Sequence, residues 1–139
     1  MQNCFIKFYD SRIDFSYLKL SSNRNVGAES FFVGVIRNFN LGKSVDRVEY
    51  HVFESLAISL LQDKCSYFFL SKNILNIDIL QRKGILFVGD VNLIVRISSI
   101  DRKSSFHCCR SLVEYIKHCI PIWKKEYYLD STYIWINSF

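Results

Sequence analysis

The sequence predicts an α+β domain. Segments with period-two alternation come in pairs, and two long stretches with helical spacing lie between them. The only proline, Pro121, stands where the second helical pattern stops, as a residue that cannot continue a helix should. The 139 residues are 50% hydrophobic and 16% aromatic, enough for one domain with its own core. No repeat, low-complexity tract or Pro/Gly/Ser-rich linker divides residues 1–139, so a single domain is expected.

Cys4–Tyr9 reads as a first strand, and Asp14–Leu20 as one short N-terminal helix with Asp14 as its cap. Ser21–Asn25 is polar and irregular, a loop. Ala28–Arg37 is dense in Phe and Val and reads as a buried strand. Gly34 within it marks a bulge, or a place where a ligand or backbone comes close. Asn38–Lys43 has turn chemistry and leads into a second strand, Val45–Val52. The short connection predicts that these two strands pair antiparallel.

From Glu54 to about Leu70 the apolar residues Ala57, Leu60, Leu61, Cys65 and Phe68 mark one face of a helix. Ile74–Leu80 alternates as a strand, Arg82-Lys83-Gly84 and Gly89-Asp90 read as turns, and Val91, Leu93, Val95 and Ile97 alternate again. Helical spacing then returns, with Phe106, Cys109, Val113, Ile116 and Ile120 on one side and Ser98 or Asp101 as the cap. Ile122–Tyr128 and Thr132–Ile136 are two closing strands around Leu129-Asp130-Ser131. The prediction is antiparallel hairpins with two long helices and one short N-terminal helix.

Lys plus Arg number 18 and Asp plus Glu 13, giving +5. That balance favours an anionic partner and leaves phosphate, nucleic acid and acidic protein open. The five cysteines are odd in number and contain no Cys-x-x-Cys, which points to reduced thiols in the cytoplasm rather than a disulfide framework or zinc site. His51, His107 and His118 lack metal-ligand spacing. The N-terminus does not read as a signal peptide, and no apolar run approaches the roughly 18 residues of a membrane span.

The most informative stretch is Lys-His-Cys-Ile-Pro-Ile-Trp-Lys-Lys-Glu, residues 117–126. Lys117 and Lys124 flank the proline at the end of one element and the start of the next, so the turn can bring both amines to one pocket. A lysine in the last turn of a helix also complements the macrodipole, and that reading stands beside the first. Lys125 alternates away from Lys124 if this segment is a strand.

Ile120-Pro121-Ile122-Trp123-Lys124-Lys125-Glu126 closely resembles the signature of the molybdopterin synthase large (catalytic) subunit, the MoaE family. Phe32-Val33-Gly34-Val35-Ile36-Arg37-Asn38 with Asn40-Leu41-Gly42, Gln81-Arg82-Lys83-Gly84 through Gly89-Asp90, Ser98-Ser99-Ile100-Asp101-Arg102 and Glu114-Tyr115-Ile116-Lys117 follow the family pattern in order, over about residues 26 to 136. The resemblance implies an α/β hammerhead fold and a sulfurtransferase. It implies a cyclic pyranopterin monophosphate substrate and a small ubiquitin-like sulfur-carrier subunit whose C-terminal thiocarboxylate inserts into the pocket. A central homodimer within a heterotetramer is implied as well, with no metal, cofactor, nucleic acid or membrane. Lys117 and Lys124 are its catalytic positions. Val35, Ile36, Arg37, Asp101, Arg102, Lys117, Lys124, Lys125 and Glu126 are its substrate-binding positions. Arg37 and Arg102 suit the phosphate, since a guanidinium fork donates two bonds and stays charged; N–H groups at the second long helix's start add to that anion site.

The chain departs from the pattern at three places. Asp101 replaces the usual histidine, Tyr50-His51-Val52-Phe53-Glu54-Ser55 replaces a Glu-His-Tyr-Pro-Gly run, and at Phe139 the basic C-terminal extension is missing. Two other readings accompany the enzyme: a non-catalytic family member that keeps the carrier groove without turnover, and a nucleic-acid binder resting only on charge and aromatics.

Overall fold

The computed structural model of the protein describes residues 2–137. Two sheets share one core. The first has the order β1 (Asn3–Tyr9), β5 (Ile74–Arg82), β7 (Val91–Ser99), β2 (Ala28–Val35). In it β1 runs parallel to β5, and β5 and β2 run antiparallel to β7. The second has the order β3 (Phe39–Asn40), β4 (Lys43–Val52), β8 (Ile122–Tyr128), β9 (Tyr133–Asn137), with β6 (Gly84–Phe87) also paired to β4. The architecture is α+β, as the periodicity predicts.

The two α-helices close the core. α1 (Glu54–Phe68) buries Ala57, Leu61, Cys65 and Phe68, and α2 (Arg102–Cys119) buries Cys108, Leu112, Val113 and Ile116. They meet Ile77 and Ile79 of β5, Leu93, Val95 and Ile97 of β7, and Val48, Tyr50, Ile122 and Tyr128 of the second sheet in one cluster. Fully burying such aliphatic side chains contributes about 1.5–3 kcal/mol each, which holds the two sheets together. On the first sheet's other face Ile13, Leu80 and Ile94 form a smaller cluster. Beside it the Asp78 carboxylate accepts from Arg96 at 2.6 Å. Among the described residues no helix is long and apolar enough to cross a membrane.

Several expectations are corrected. Ala28–Arg37 and Val45–Val52 do not pair: β2 ends at Val35 and pairs with β7, while β4 lies in the other sheet. The chain leaves the first sheet where the register shifts at Gly34/Val35; there the Ile36 N–H donates to the Asp90 carbonyl at 2.9 Å. The turn chemistry acts over a shorter hairpin, with Phe39 opposite Ser44 and Asn40 opposite Lys43. Its two central residues, Leu41 and Gly42, both have positive φ, 52° and 76°, the conformation a two-residue hairpin needs. Residues 82–84 are not a simple turn. β5 runs through Arg82, and β6, unread in the sequence, starts at Gly84 (φ 84°) and crosses into the second sheet.

Phe106 is 66% exposed rather than buried, because the buried stripe of α2 follows Ser105, Cys108, Leu112 and Ile116, one residue away around the helix. Asp14–Leu20 contracts to a 3₁₀ turn, Phe15–Leu18, with Asp14 accepting the Ser16 N–H at 2.9 Å. Phe139, on which the missing basic tail rests, lies outside the described residues.

Asp101 is the cap of α2, its carboxylate accepting the Ser104 N–H at 3.2 Å. That bond and the adjoining backbone donors hold its pKa below the usual carboxylate value. The stability it adds is present above the ordinary carboxylate pKa and lost as pH falls through its depressed folded value. Asp101→Ala should therefore lower the denaturation midpoint near neutral pH, and the gap from wild type should close in acid; chemical denaturation at several pH values checks this.

Candidate active site

The turn at Pro121 brings the two amines together. α2 ends at Cys119, Ile120 is fully buried, and the Phe53 N–H donates to the Pro121 carbonyl at 3.1 Å, fixing the start of β8 beside β4. Lys117 from the last turn of α2 and Lys124 from β8 then line one cavity of about 210 Å³ with Val35, Ile36 and Arg37, which follow the β2 bulge. Val48 and Tyr50 of β4, Asn92 of β7 and Glu126 of β8 complete its wall. Registry explains the grouping: Tyr50 lies opposite Lys124 and Val48 opposite Glu126, and alternate residues of a strand share a face.

Glu126 organises the cavity. It is 3% exposed and accepts from Asn40 Nδ2 at 2.7 Å and from Tyr128 Oη at 2.8 Å. Its second oxygen lies 3.5 Å from the Lys124 ammonium. Burial and the Glu126 carboxylate push the Tyr128 phenol up to about 12, so it stays a donor. Asn40 in turn accepts from Arg37 at 2.8 Å, so one carboxylate positions both Lys124 and, through Asn40, the guanidinium. Among the described residues Lys117 has no such partner. The protein packed around its ammonium and the like charge of Lys124 together lower its pKa, although its outer side is open to solvent; Glu114 opposes the shift.

Asp101, Arg102 and Lys125 lie elsewhere. Arg102 is exposed at the first turn of α2, and at 1.5 Å per residue Lys117 is about 22 Å further along that helix. The helix start is capped by Asp101, so its N–H groups do not serve this cavity. Lys125 points to the opposite face of β8, over the rings of Tyr127, Tyr133 and Trp135 at 4.8, 4.1 and 5.4 Å. No motif in the sequence marks Tyr50, Asn92, Val48 or Tyr128 as site residues. The one available signal was Gly34: a Cβ there would meet Asn92 Oδ1 at 2.3 Å. The close approach is made by a side chain.

Among the described residues no group of three or more His, Cys, Asp or Glu side chains is placed to hold a metal ion. The cavity instead sets three cations against one carboxylate, a balance that favours an anionic ligand.

Glu126→Ala strands the Asn40 and Tyr128 donors, at about 1–3 kcal/mol each, and frees Lys124; it should lower the melting temperature and, by NMR, broaden the Lys124 ε resonances. Lys124→Met removes the neighbouring charge, so the Lys117 pKa should rise toward the ordinary lysine value in a ¹³C-detected titration. Because the unfolded chain binds more protons between the two pKa values, wild-type stability rises with pH across that window, and the Met variant should show a smaller rise.

Residues 9–119 match the MoaE protein family. A molybdopterin synthase catalytic subunit from Dictyostelium discoideum is 37% identical over 131 residues, 92% of this chain and 83% of that protein. One from Bacillus subtilis (strain 168) is 30% identical over 87% of this chain and 76% of its own length. The crystal structure of molybdopterin synthase from Staphylococcus aureus superposes with a TM-score of 0.83 at 24% identity, covering 94% of this chain and 95% of that one. A protein–protein complex of subunits 1 and 2 of molybdopterin-converting factor from Helicobacter pylori gives 0.78 at 18% identity, over 94% and 88% of the two chains. With the fold shared and the family match running from the end of β1 to the end of α2, the chain belongs to the MoaE family.

Proposed function

We propose that this chain is the catalytic subunit of a molybdopterin synthase. It transfers sulfur from the C-terminal thiocarboxylate of a small ubiquitin-like carrier subunit to cyclic pyranopterin monophosphate and forms the dithiolene of molybdopterin. The observation that carries this reading is the convergence of Arg37, Lys117 and Lys124 in one cavity. Each cation has a task. Arg37, oriented by Asn40, and Lys124, oriented by Glu126, hold the phosphate end of the substrate. Lys117, with its lowered pKa, faces the acyl group of the carrier, where an ammonium stabilises the oxyanion formed when water adds to the acyl carbon; the C–S bond then breaks, leaving sulfur on the pterin and a carboxylate on the carrier.

A route for the carrier's tail supports the partner. An apolar groove of about 520 Å³ lies between β2 and α2, lined by Phe31, Phe32, Phe106 and Val113. The same two elements continue to Val35 and Lys117 at the cavity, so a tail laid along the groove reaches the lysines. Arg102 keeps its proposed phosphate role in a different way. At about 22 Å from Lys117 along α2 it can reach a phosphate only in the cavity of a second copy, as a central homodimer would provide. The reading places the chain in the cytoplasm.

The test combines purified protein, cyclic pyranopterin monophosphate and a thiocarboxylated carrier, with dithiolene product as the readout. Wild type should turn over, and Lys117→Ala should abolish product while leaving the dimer intact by sedimentation. Tail binding without product from wild type would instead identify a non-catalytic member of the family.

A further inference from the structure

One hydroxyl in the cavity wall has a proton to give. Asn92 Nδ2 donates to Tyr50 Oη at 2.7 Å, which occupies an acceptor position of the hydroxyl and leaves its proton without an acceptor among the described residues. Tyr50 sits opposite Lys124 in the β4–β8 register. With Asn92 and Lys117 it lines both the 210 Å³ cavity and a small cell of about 30 Å³ behind it. Burial pushes the phenol up to about 12, so it remains a donor through the neutral range.

Asn92 is seated by the glycine behind it. It is 6% exposed, its Oδ1 is buried without a hydrogen-bond partner, and that oxygen fills the space where a Cβ on Gly34 would stand. An alanine at 34 would meet it at 2.3 Å and force the amide to move. The chain of dependence therefore runs from a backbone position in β2, through an amide in β7, to a hydroxyl in β4.

We propose that Tyr50 is a further catalytic residue of this cavity: its O–H donates to an anionic oxygen of the ligand held between Lys117 and Lys124, and Asn92, seated against Gly34, is the residue that positions it. The inference rests on the cavity being the reaction site proposed above. A neutral donor there adds a hydrogen bond to a developing oxyanion and adds no charge to repel the two ammonium groups. It also lies deeper than Arg37, which is exposed.

The experiment compares wild type, Tyr50→Phe, Asn92→Leu and the double variant, with rates normalised to the folded fraction from circular dichroism. Each single change leaves a buried polar group unpaired and lowers the denaturation midpoint; the double change removes both partners and recovers most of it. The expected result is a double variant near wild-type stability that is still slower by about 10²-fold, the loss typical of one oxyanion donor. A fall in kcat at constant KM assigns the bond to the acyl oxyanion, and a rise in KM at constant kcat assigns it to the phosphate. Recovery of activity along with stability would overturn the proposal, since Tyr50 would then matter only to packing. If wild type itself makes no product, the functional reading fails separately. The donor is then decided by calorimetric binding of inorganic phosphate: weaker binding to the double variant supports it, and equal binding to all four proteins overturns it.

Discussion

Glu126 carries its negative charge almost completely out of water, and the arrangement of the cavity follows from how that charge is satisfied. A carboxylate 3% exposed is costly unless it is paired and hydrogen-bonded, and here Asn40, Tyr128 and Lys124 share it. Asn40 comes from the two-residue strand β3, Tyr128 from the far end of β8, and Lys124 from its middle. The need to satisfy one anion thus fixes the β3–β4 hairpin against β8. That placement sets where Arg37 and Lys124 stand. The carboxylate also neutralises part of the positive charge of Lys124, beside which Lys117 keeps a pKa lowered by burial and by that neighbouring ammonium.

The two lysines are held by different means, and the difference matters for chemistry. Lys124 is tied to an acid and is spatially fixed. Lys117, on a helix end, has its pKa lowered by burial and by the like charge of Lys124. An amine held by an acid and a second amine with a lowered pKa can divide binding and proton handling between them.

Much of this was legible in the sequence where local rules apply. Helical spacing found α1 and α2 to within about two residues, Pro121 found the reversal, and the motif around it named both lysines and Glu126. What was not legible is nonlocal. The pairing of β2 with β7, the crossing of β6 into the second sheet and the facing of Tyr50 with Lys124 depend on registers between segments far apart in the chain. Nothing within residues 28–52 distinguishes a hairpin from two strands that go to different sheets. Asp101 and Arg102 show the same limit: a motif can join residues in a pattern without joining them in space, and here a whole helix separates them from Lys117. Phe106 failed for a smaller reason, since a step of one residue turns a side chain about 100° around the helix.

The register shift at Gly34/Val35 has a consequence for motion. The chain departs the first sheet there, and the cavity takes its walls from both sides of that departure: Asn92 from one sheet, Tyr50, Lys124 and Glu126 from the other, and Lys117 from the helix packed over the first. The site is therefore a seam, and it exists only while the two sheets are docked. Partial opening along the seam, at a free energy below that of global unfolding, would separate the donors from the cations while each sheet kept its own ladder. The cavity is thus a property of the joint between the sheets, and it would be lost before either sheet melts.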